Sequence, residues 1–301
     1  MKKLSYANLP SAGLGNLLFV WARACIFAEI NKCPLYVTGW GQFHIGTVLR
    51  REKSKRFYGN YFVGDSFQTN VRNKLKTVFF DKIYNVNPTV FVETKKNTVY
   101  VFDQVPHWAD SFEHIREHRD FIKKSLFAML SKSIQLELAK YEAPAIAVHI
   151  RRGDFANLPE GVEFKMVGAT KTPLDYFVHL INEIRKYVNK SVEVQVFSDG
   201  MAAELSPVLI LENVRLVETK YDIADLLLMS KANVLITSAG SSFSYWAGFL
   251  SEAAVILHYD HIHAPHRDKV TNQKYYEGAA IGANSSEWAL LLKQNLKTFF
   301  N

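Results

Sequence analysis

The sequence predicts an α/β protein whose C-terminal half is a doubly wound parallel sheet. From Ala145 onward, short apolar runs and helical patterns follow each other in strict turn, as parallel strands and crossover helices do. Several of those runs end in polar or charged residues, which is how strands end beside a ligand crevice in open α/β sheets. With 301 residues, 48% of them hydrophobic, the chain can bury a large core, and its length sets a prior of two domains.

The N-terminal half reads less regularly. Lys3 to Tyr6 form a first strand, followed by a loop with "AGLGN" (Ala12 to Asn16) and a strongly apolar helix from Leu17 to Ile30. Gly13 and Gly15 suit a tight turn and a close approach to a ligand, and Asn16 is either a helix cap or a polar group at a helix head. The spacing is not G-x-G-x-x-G, so a dinucleotide fingerprint is absent. Pro34 to Trp40 is a second strand. Gly41 to Lys96, rich in aromatics such as Phe43, Phe57, Tyr58, Tyr61 and Phe62, has mixed periodicity and is assigned no element. Thr98 to Phe102 is a strand, and Asp110 to Lys140 is helical, with Ile122, Leu126 and Leu130 as its buried stripe.

In the second half, Ala145 to Ile150 is a strand and Leu174 to Val188 a helix, started by Thr172 and Pro173. Strands follow at Val192 to Phe197 and Val214 to Glu218, then a helix in "DIADLLLMSKA", a strand in "NVLITS", a turn into a helix in "SSFSYWAGFLS" and a strand in "AVILH". The last helix is Glu287 to Phe299, expected either to close the second domain or to pack back on the first. The boundary falls near Lys140 to Ala143, dividing residues 1–142 from 143–301.

Net charge +7 fits an anionic partner, but no helix-turn-helix, zinc-finger or RNP signature accompanies it, so no nucleic acid is expected. The basic run Arg50 to Arg56 reads as a solvated face. The two cysteines, Cys25 and Cys33, have neither redox nor zinc spacing. Without a signal peptide or a run long enough to span a bilayer, a cytoplasmic location with at most peripheral membrane contact is expected.

Three polar groups recur at strand ends: His149 with Arg151, Ser198 with Asp199, and the serines of "TSAGSSFS" from Thr237 to Ser244. Lined along one edge of one sheet, they have the geometry of a nucleotide site. Side-chain alternation puts His149 and Arg151 on one side and Arg152 on the other. The Arg151 guanidinium suits a phosphate, although Arg151, Arg152 and Asp154 also fit a structural ion-pair knot. Ser241 and Ser242 either offer hydroxyls and amides to a phosphate or cap the following helix. Asp225 either accepts N–H groups of a guanine base or favours its helix dipole. His258, His261, His263, His266 and Asp260 match no zinc spacing, and there is neither D-x-D nor a phosphate loop, so no metal and no cofactor is expected.

"VHIRRGDF" resembles the H-x-R-R-x-D motif of the α1,2-, α1,6- and protein O-fucosyltransferases. "AGLGNLLFVWA" is similar to the N-terminal segment of the α1,2-fucosyltransferases of glycosyltransferase family 11, and "FSDG" and "DLLLMSKANVLITSAGSSFSYWAGFL" resemble that family's later blocks. The resemblance implies a GT-B-like architecture, two Rossmann-like domains with parallel sheets facing a central cleft, and metal-independent, inverting transfer of fucose from GDP-fucose to a glycan. The acceptor it implies is O2 of a terminal β-galactoside on an oligosaccharide or polysaccharide. Carried over, Arg151 holds the donor pyrophosphate and His149 and Asp225 recognise guanosine. Ser241, Ser242 and Phe243 cradle the nucleotide, and Gly13, Gly15 and Asn16 approach from the first domain. Arg152, Ser198 and Asp199 complete the expected donor site. Asp154 is the first choice for a base, before Glu160 and Glu163, and the leaving phosphate is a further choice. Leu17 in place of the family's Gln, and Ala239 and Gly240 in place of its Asn, bear on acceptor and linkage. A different linkage, and a non-catalytic nucleotide- or carbohydrate-binding protein on the same scaffold, are the alternatives.

Overall fold

The computed structural model describes residues 2–42, 57–63, 67–162, 164, 169–261, 263–282 and 284–301. Phe43, the Arg50 to Arg56 cluster and Glu163 lie outside these. The chain forms two compact units, Met1–Leu136 with Ala264–His266, and Glu137–His263 with Arg267–Asn301. The division falls a few residues before the stretch expected from sequence, because Glu137 accepts the Lys220 amide at 3.0 Å and so belongs with the second unit.

The first unit contains β1 (Lys3–Asn8), α1 (Leu14–Ile30), β2 (Leu35–Thr38), α2 (Phe67–Lys76), β3 (Asp81–Tyr84), β4 (Thr98–Phe102) and α3 (Arg119–Met129), with α4 (Lys132–Leu138) leading out of it. Its four strands are parallel, in the order β2-β1-β4-β3. Alternation along β1 sorts its two faces. Leu4 and Tyr6 join Val99 and Val101 in an apolar cluster, whereas Ser5 turns to α1 and donates to the Ala24 carbonyl at 2.7 Å. On the α1 side Phe27 packs against Tyr100 and Phe102, with ring centroids 4.6 and 5.6 Å apart. α1 is buried along most of its length, which is why its sequence is apolar nearly all round.

Asp110 to Lys140 is not one helix. Single 3-10 turns at Trp108–Asp110 and Arg116–His118 precede α3, and Leu130 then breaks the helix with φ −63° and ψ 132°. A competing partner explains the break. Residues 61–63 pair with the chain there, Val63 N–H donating to the Met129 carbonyl at 2.7 Å and Ser131 N–H to that of Tyr61 at 2.9 Å. The periodic residues Ile122, Leu126 and Leu130 are nevertheless all buried. β3, inside the stretch to which sequence assigned no element, is an edge strand whose four residues are all exposed, so it carries no apolar alternation.

The second unit runs β5 (Ile146–Ile150), α5 (Leu174–Val188), β6 (Val194–Ser198), α6 (Ser206–Leu209), β7 (Val214–Leu216), α7 (Asp222–Met229), β8 (Val234–Ile236), α8 (Ser242–Leu250), β9 (Ala254–Leu257), α9 (Lys269–Lys274), β10 (Glu277–Ala279) and α10 (Leu290–Phe300). All six strands are parallel, in the order β10-β9-β8-β5-β6-β7. The chain builds outward from β5 to β7, returns to lay β8 against the other side of β5, and builds outward again. The topological switch point therefore lies between β5 and β8.

Ile146, Val148 and Ile150 of β5 form one core with Phe177, Leu180, Ile181 and Ile184 of α5 and Leu292 and Leu296 of α10. The last helix thus packs in the core of the second unit. α7 and α8 pack on each other, with α7 against β5. Ala147 and His149 point to the face opposite the aliphatic core, by the period of two along a strand.

One buried cation had no sequence signal. The side chain of Arg267 is fully buried and donates to the carbonyls of Ala253, Tyr275 and Tyr276, to Asn272, and to Glu277 at 3.1 Å. It ties the loop after β9 to the start of β10. Arg267→Gln leaves Glu277 charged and buried, so it should destabilise the protein by about 3–5 kcal/mol. Urea denaturation checks this, and a loss under about 1 kcal/mol would contradict the assignment.

Candidate functional site

Two hydroxyls open the crevice beside β5. β5 pairs with β8 only as far as Val148 and Ile236. Beyond that point Ser238 Oγ donates to the His149 carbonyl and accepts the Arg151 N–H, both at 2.8 Å. On the other side Ser198 Oγ donates to the Ile150 carbonyl at 2.6 Å and accepts the Gly200 N–H at 3.0 Å. Side chains thus complete the hydrogen bonding of the strand end, and the chains diverge from it.

The loop after β5 is held by a carboxylate. Asp199 accepts the Arg152 N–H at 2.7 Å with Oδ1 and pairs with Arg151 Nη1 through Oδ2. Asp154 Oδ1 accepts from Arg151 Nη2 at 2.5 Å, and the guanidinium lies 5.4 Å from the Phe155 ring centroid. Gly153 makes this possible. Its φ is +20°, and a Cβ there would come within 2.2 Å of Asp199 Oδ2.

Arg152 differs from its expected role as a donor ligand. It is 5% exposed, and Nη1 donates to the Thr172 carbonyl at 3.0 Å while Nε faces Glu204 at 3.6 Å. Burial lowers its pKa. It braces the loop from inside, as Ser198 and Asp199 also do, and leaves Arg151, with its side chain 23% exposed, as the cation at the strand ends.

His149 is 4% exposed and packs on Phe243, centroids 5.3 Å apart. Burial first and the Arg151 charge second push its pKa from 6.5 down to about 3. It is a neutral imidazole whose buried Nδ1 has no hydrogen-bond partner among the described residues. Asp225 stands in the first turn of α7, half-buried, on the helix that packs against β5.

Ser241 occupies the N-cap position of α8, yet no side-chain capping bond is made there. The first amides of α8, Ser242 to Ser244, have no carbonyl one turn back within the helix, and a helix start of this kind is an anion site. Ser242 and Phe243 are half-buried beside it. Thr172, read from sequence as a helix starter, also reaches this turn, its Oγ1 accepting the Ala239 N–H at 3.0 Å. Nothing in its local sequence signals that contact, which depends on tertiary packing.

His149, Arg151, Asp154, Ser198, Asp199, Ser241, Ser242 and Phe243 therefore gather at the carboxyl ends of β5, β6 and β8, the edge where a doubly wound sheet binds ligands. Gly13, Gly15 and Asn16 lie at the head of α1 in the first unit. Gly13 has φ −69° with open space beside it, so neither a turn nor crowding requires glycine there. The N-cap is Gly13, not Asn16, which is the third residue of the helix. Glu160 is exposed in the loop after β5. His258 and His261 pack among Phe164, Tyr176 and Tyr259, and among the described residues no group of His, Cys, Asp and Glu gathers as a metal centre does.

The sequence matches the model of glycosyl transferase family 11 over residues 81–277. The chain belongs to that family. Three of the four motif blocks lie in the matched stretch; the Ala12 to Ala22 block precedes it. Its fold is that of fucosyltransferase NodZ from Bradyrhizobium, with TM-score 0.53 and 14% identity over 88% of this chain and 99% of that one. POFUT1 in complex with GDP is also similar, with TM-score 0.50 and 13% identity over 85% and 98%. No curated protein sequence matches it. This family 11 glycosyltransferase thus has the GT-B-like fold of known fucosyltransferases, and no helix among its described residues is long and apolar enough to cross a membrane.

The buried histidine makes a pH prediction. Between 6.5 and about 3, unfolded His149 takes up a proton that the folded chain excludes. Stability therefore falls as the pH drops below 6.5, by about 1.4 kcal/mol per unit from this group, or about 2 kcal/mol by pH 5. His258, lowered to about 4 mainly by burial, acts in the same direction. His149→Gln should make the slope of unfolding free energy between pH 6 and 4.5 shallower by about 1.4 kcal/mol per unit. An unchanged slope in denaturation at several pH values would mean that His149 does not titrate as its burial requires.

Proposed function

We propose that this glycosyltransferase transfers fucose from GDP-fucose to a glycan hydroxyl, with inversion and without a metal ion. The reading rests on one observation: at the switch point between β5 and β8, the Arg151 guanidinium and the open N-terminus of α8 stand at the same strand ends. A planar cation and a set of backbone donors suit a diphosphate, which they bind and then stabilise as a leaving group. Membership of family 11 and likeness in fold to NodZ and POFUT1 support the choice of donor.

The site divides into two chemistries. His149, neutral and with an unfilled nitrogen, and Asp225, at the head of α7, suit the hydrogen-bonding edge of a guanine base. Arg151 with Ser241, Ser242 and Phe243 suits the phosphates. In the transfer, the acceptor hydroxyl forms a bond to C1 of fucose as the bond from C1 to the β-phosphate oxygen breaks. The electron pair of the broken bond leaves with GDP, beside Arg151, and the acceptor proton passes to a carboxylate or to the departing phosphate. Asp154 is the exposed carboxylate adjacent to Arg151 and is the first candidate for that proton. The resemblance of the motif blocks to α1,2-fucosyltransferases supports O2 of a terminal β-galactoside as the acceptor.

Calorimetric titration in EDTA with GDP-fucose, GDP-mannose, UDP-galactose and GDP tests the donor. Binding of GDP and GDP-fucose, lost in Arg151→Ala, is the expected outcome, and a preference for the uridine nucleotide would sink the reading. The same variant should lower transfer at least about a hundredfold. Asp154→Asn should reduce turnover about a hundredfold with GDP-fucose affinity nearly intact. If affinity falls instead, Asp154 serves only to orient Arg151.

A further inference from the structure

The turn between β8 and α8 has its own amides occupied by side chains. Ala239 N–H donates to Thr172 Oγ1 at 3.0 Å, and Gly240 N–H donates to Tyr245 Oη at 2.8 Å. Ser241 N–H reaches the Ser238 carbonyl at 3.4 Å, within the turn itself. The next amides, those of Ser242 to Ser244, belong to the open end of α8. The turn therefore withholds its donors up to a definite point and presents them after it.

Tyr245 is the unusual member of this arrangement. It sits in the second turn of α8, and helical side chains lean toward the N-terminus, so its phenol reaches back to Gly240. The ring is 5% exposed. On its other side the same Oη is 2.8 Å from His263 Nε2, with the rings edge to face at 4.9 Å. The phenol accepts from Gly240 and shares a hydrogen bond with His263 Nε2, in which the imidazole tautomer sets which group donates. Burial raises the Tyr245 pKa and keeps the phenol protonated. Gly240 has φ +67°, a left-handed conformation that glycine adopts freely, so the hydroxyl and not backbone sterics holds this amide in place. With no Oη, its amide would lose a partner inside a partly buried turn.

We propose that Tyr245, aligned by His263, is a positioning residue for the donor diphosphate: it locks the Gly240 amide so that the anion meets only the first-turn amides of α8, in a fixed orientation. The inference rests on the diphosphate part of the reading above and extends it to two residues that have no part in that reading. Tyr245 takes no part in bond making. Its role is to keep the turn from rearranging in the absence of ligand, so the ligand does not have to order it.

Tyr245→Phe tests this, because it removes one oxygen and keeps the ring. In the unliganded variant the Gly240 amide should exchange with deuterium at least about tenfold faster, by NMR or fragment mass spectrometry, while the melting temperature changes by only a few degrees. Binding of GDP and of inorganic pyrophosphate should weaken about tenfold. In transfer assays the KM for GDP-fucose should rise by a similar factor with kcat within about twofold. His263→Gln, which restores an acceptor oxygen, should stay close to wild type, and His263→Ala should shift the same quantities by about threefold. His263→Ala, at a partly exposed position, also serves if Tyr245→Phe does not fold. Unchanged Gly240 exchange in Tyr245→Phe would overturn the lock, and faster exchange with unchanged pyrophosphate affinity would overturn its role in binding. A wild-type protein that binds pyrophosphate but not GDP defeats the guanosine reading alone, and the variant comparison then decides this proposal on pyrophosphate.

Discussion

The second unit depends on a single hydroxyl. Ser238 Oγ takes both the His149 carbonyl and the Arg151 amide just where the ladder between β5 and β8 stops. A backbone partner at that position would have extended the ladder by another step and closed the crevice. A side-chain partner satisfies the same groups but ends the pairing, so the two chains separate without leaving buried donors or acceptors open. Ser198 does the equivalent on the β6 side with the Ile150 carbonyl. His149 and Arg151 are placed by that separation.

The consequences for charge follow directly. Arg151 emerges between Asp199 and Asp154, whereas Arg152, one residue on, is turned inward to Thr172 and Glu204. Two adjacent arginines thus have different work, one holding the loop and one left at its surface. Partly exposed ion pairs are weak, so the bond from Asp154 to Arg151 is one that a doubly charged diphosphate can replace. Asp199 is fixed more firmly, since its other oxygen holds the Arg152 amide. Arg151 thus meets two carboxylates from two loops, Asp199 after β6, which also holds the Arg152 amide, and Asp154 after β5, which is the more exposed of the two.

The legible part of this structure is the part governed by local rules. Strand and helix alternation after Ala145 shows the order of the five strands from β5 to β9, and with it the edge where His149, Arg151, Ser198 and Ser241 meet, while the short α6, α9 and β10 carry no such signal. The helix at about Leu174 to Val188 was readable from its start signals, Thr172 and Pro173, and the structure buries Phe177, Leu180, Ile181 and Ile184 on its inner face. The illegible part depends on partners distant in sequence. The helix break at Leu130 exists because residues 61–63 pair there, and β3 is an edge strand with no buried side to print a pattern. Thr172 reads as a helix starter because its bond to Ala239 spans 67 residues. Arg152 and Arg151 look equivalent in "IRRGD", and only burial separates them. Gly13 was read for a conformational need that its φ does not have, whereas the need is real at Gly153.

A neutral histidine beside an arginine sets how the site separates base from phosphate. Protonating His149 would place a second cation next to Arg151 in a buried setting, and the low pKa shows that the fold resists it. Of these two neighbouring residues, Arg151 therefore carries the positive charge and His149 does not. On the proposed function a diphosphate goes to Arg151, while the buried His149, packed on Phe243, adds no charge beside it. On the proposed function, a nucleotide is oriented by its own asymmetry, phosphates to the arginine and base to the imidazole. The order follows from burying one of two neighbouring basic groups deeply enough that it cannot ionise.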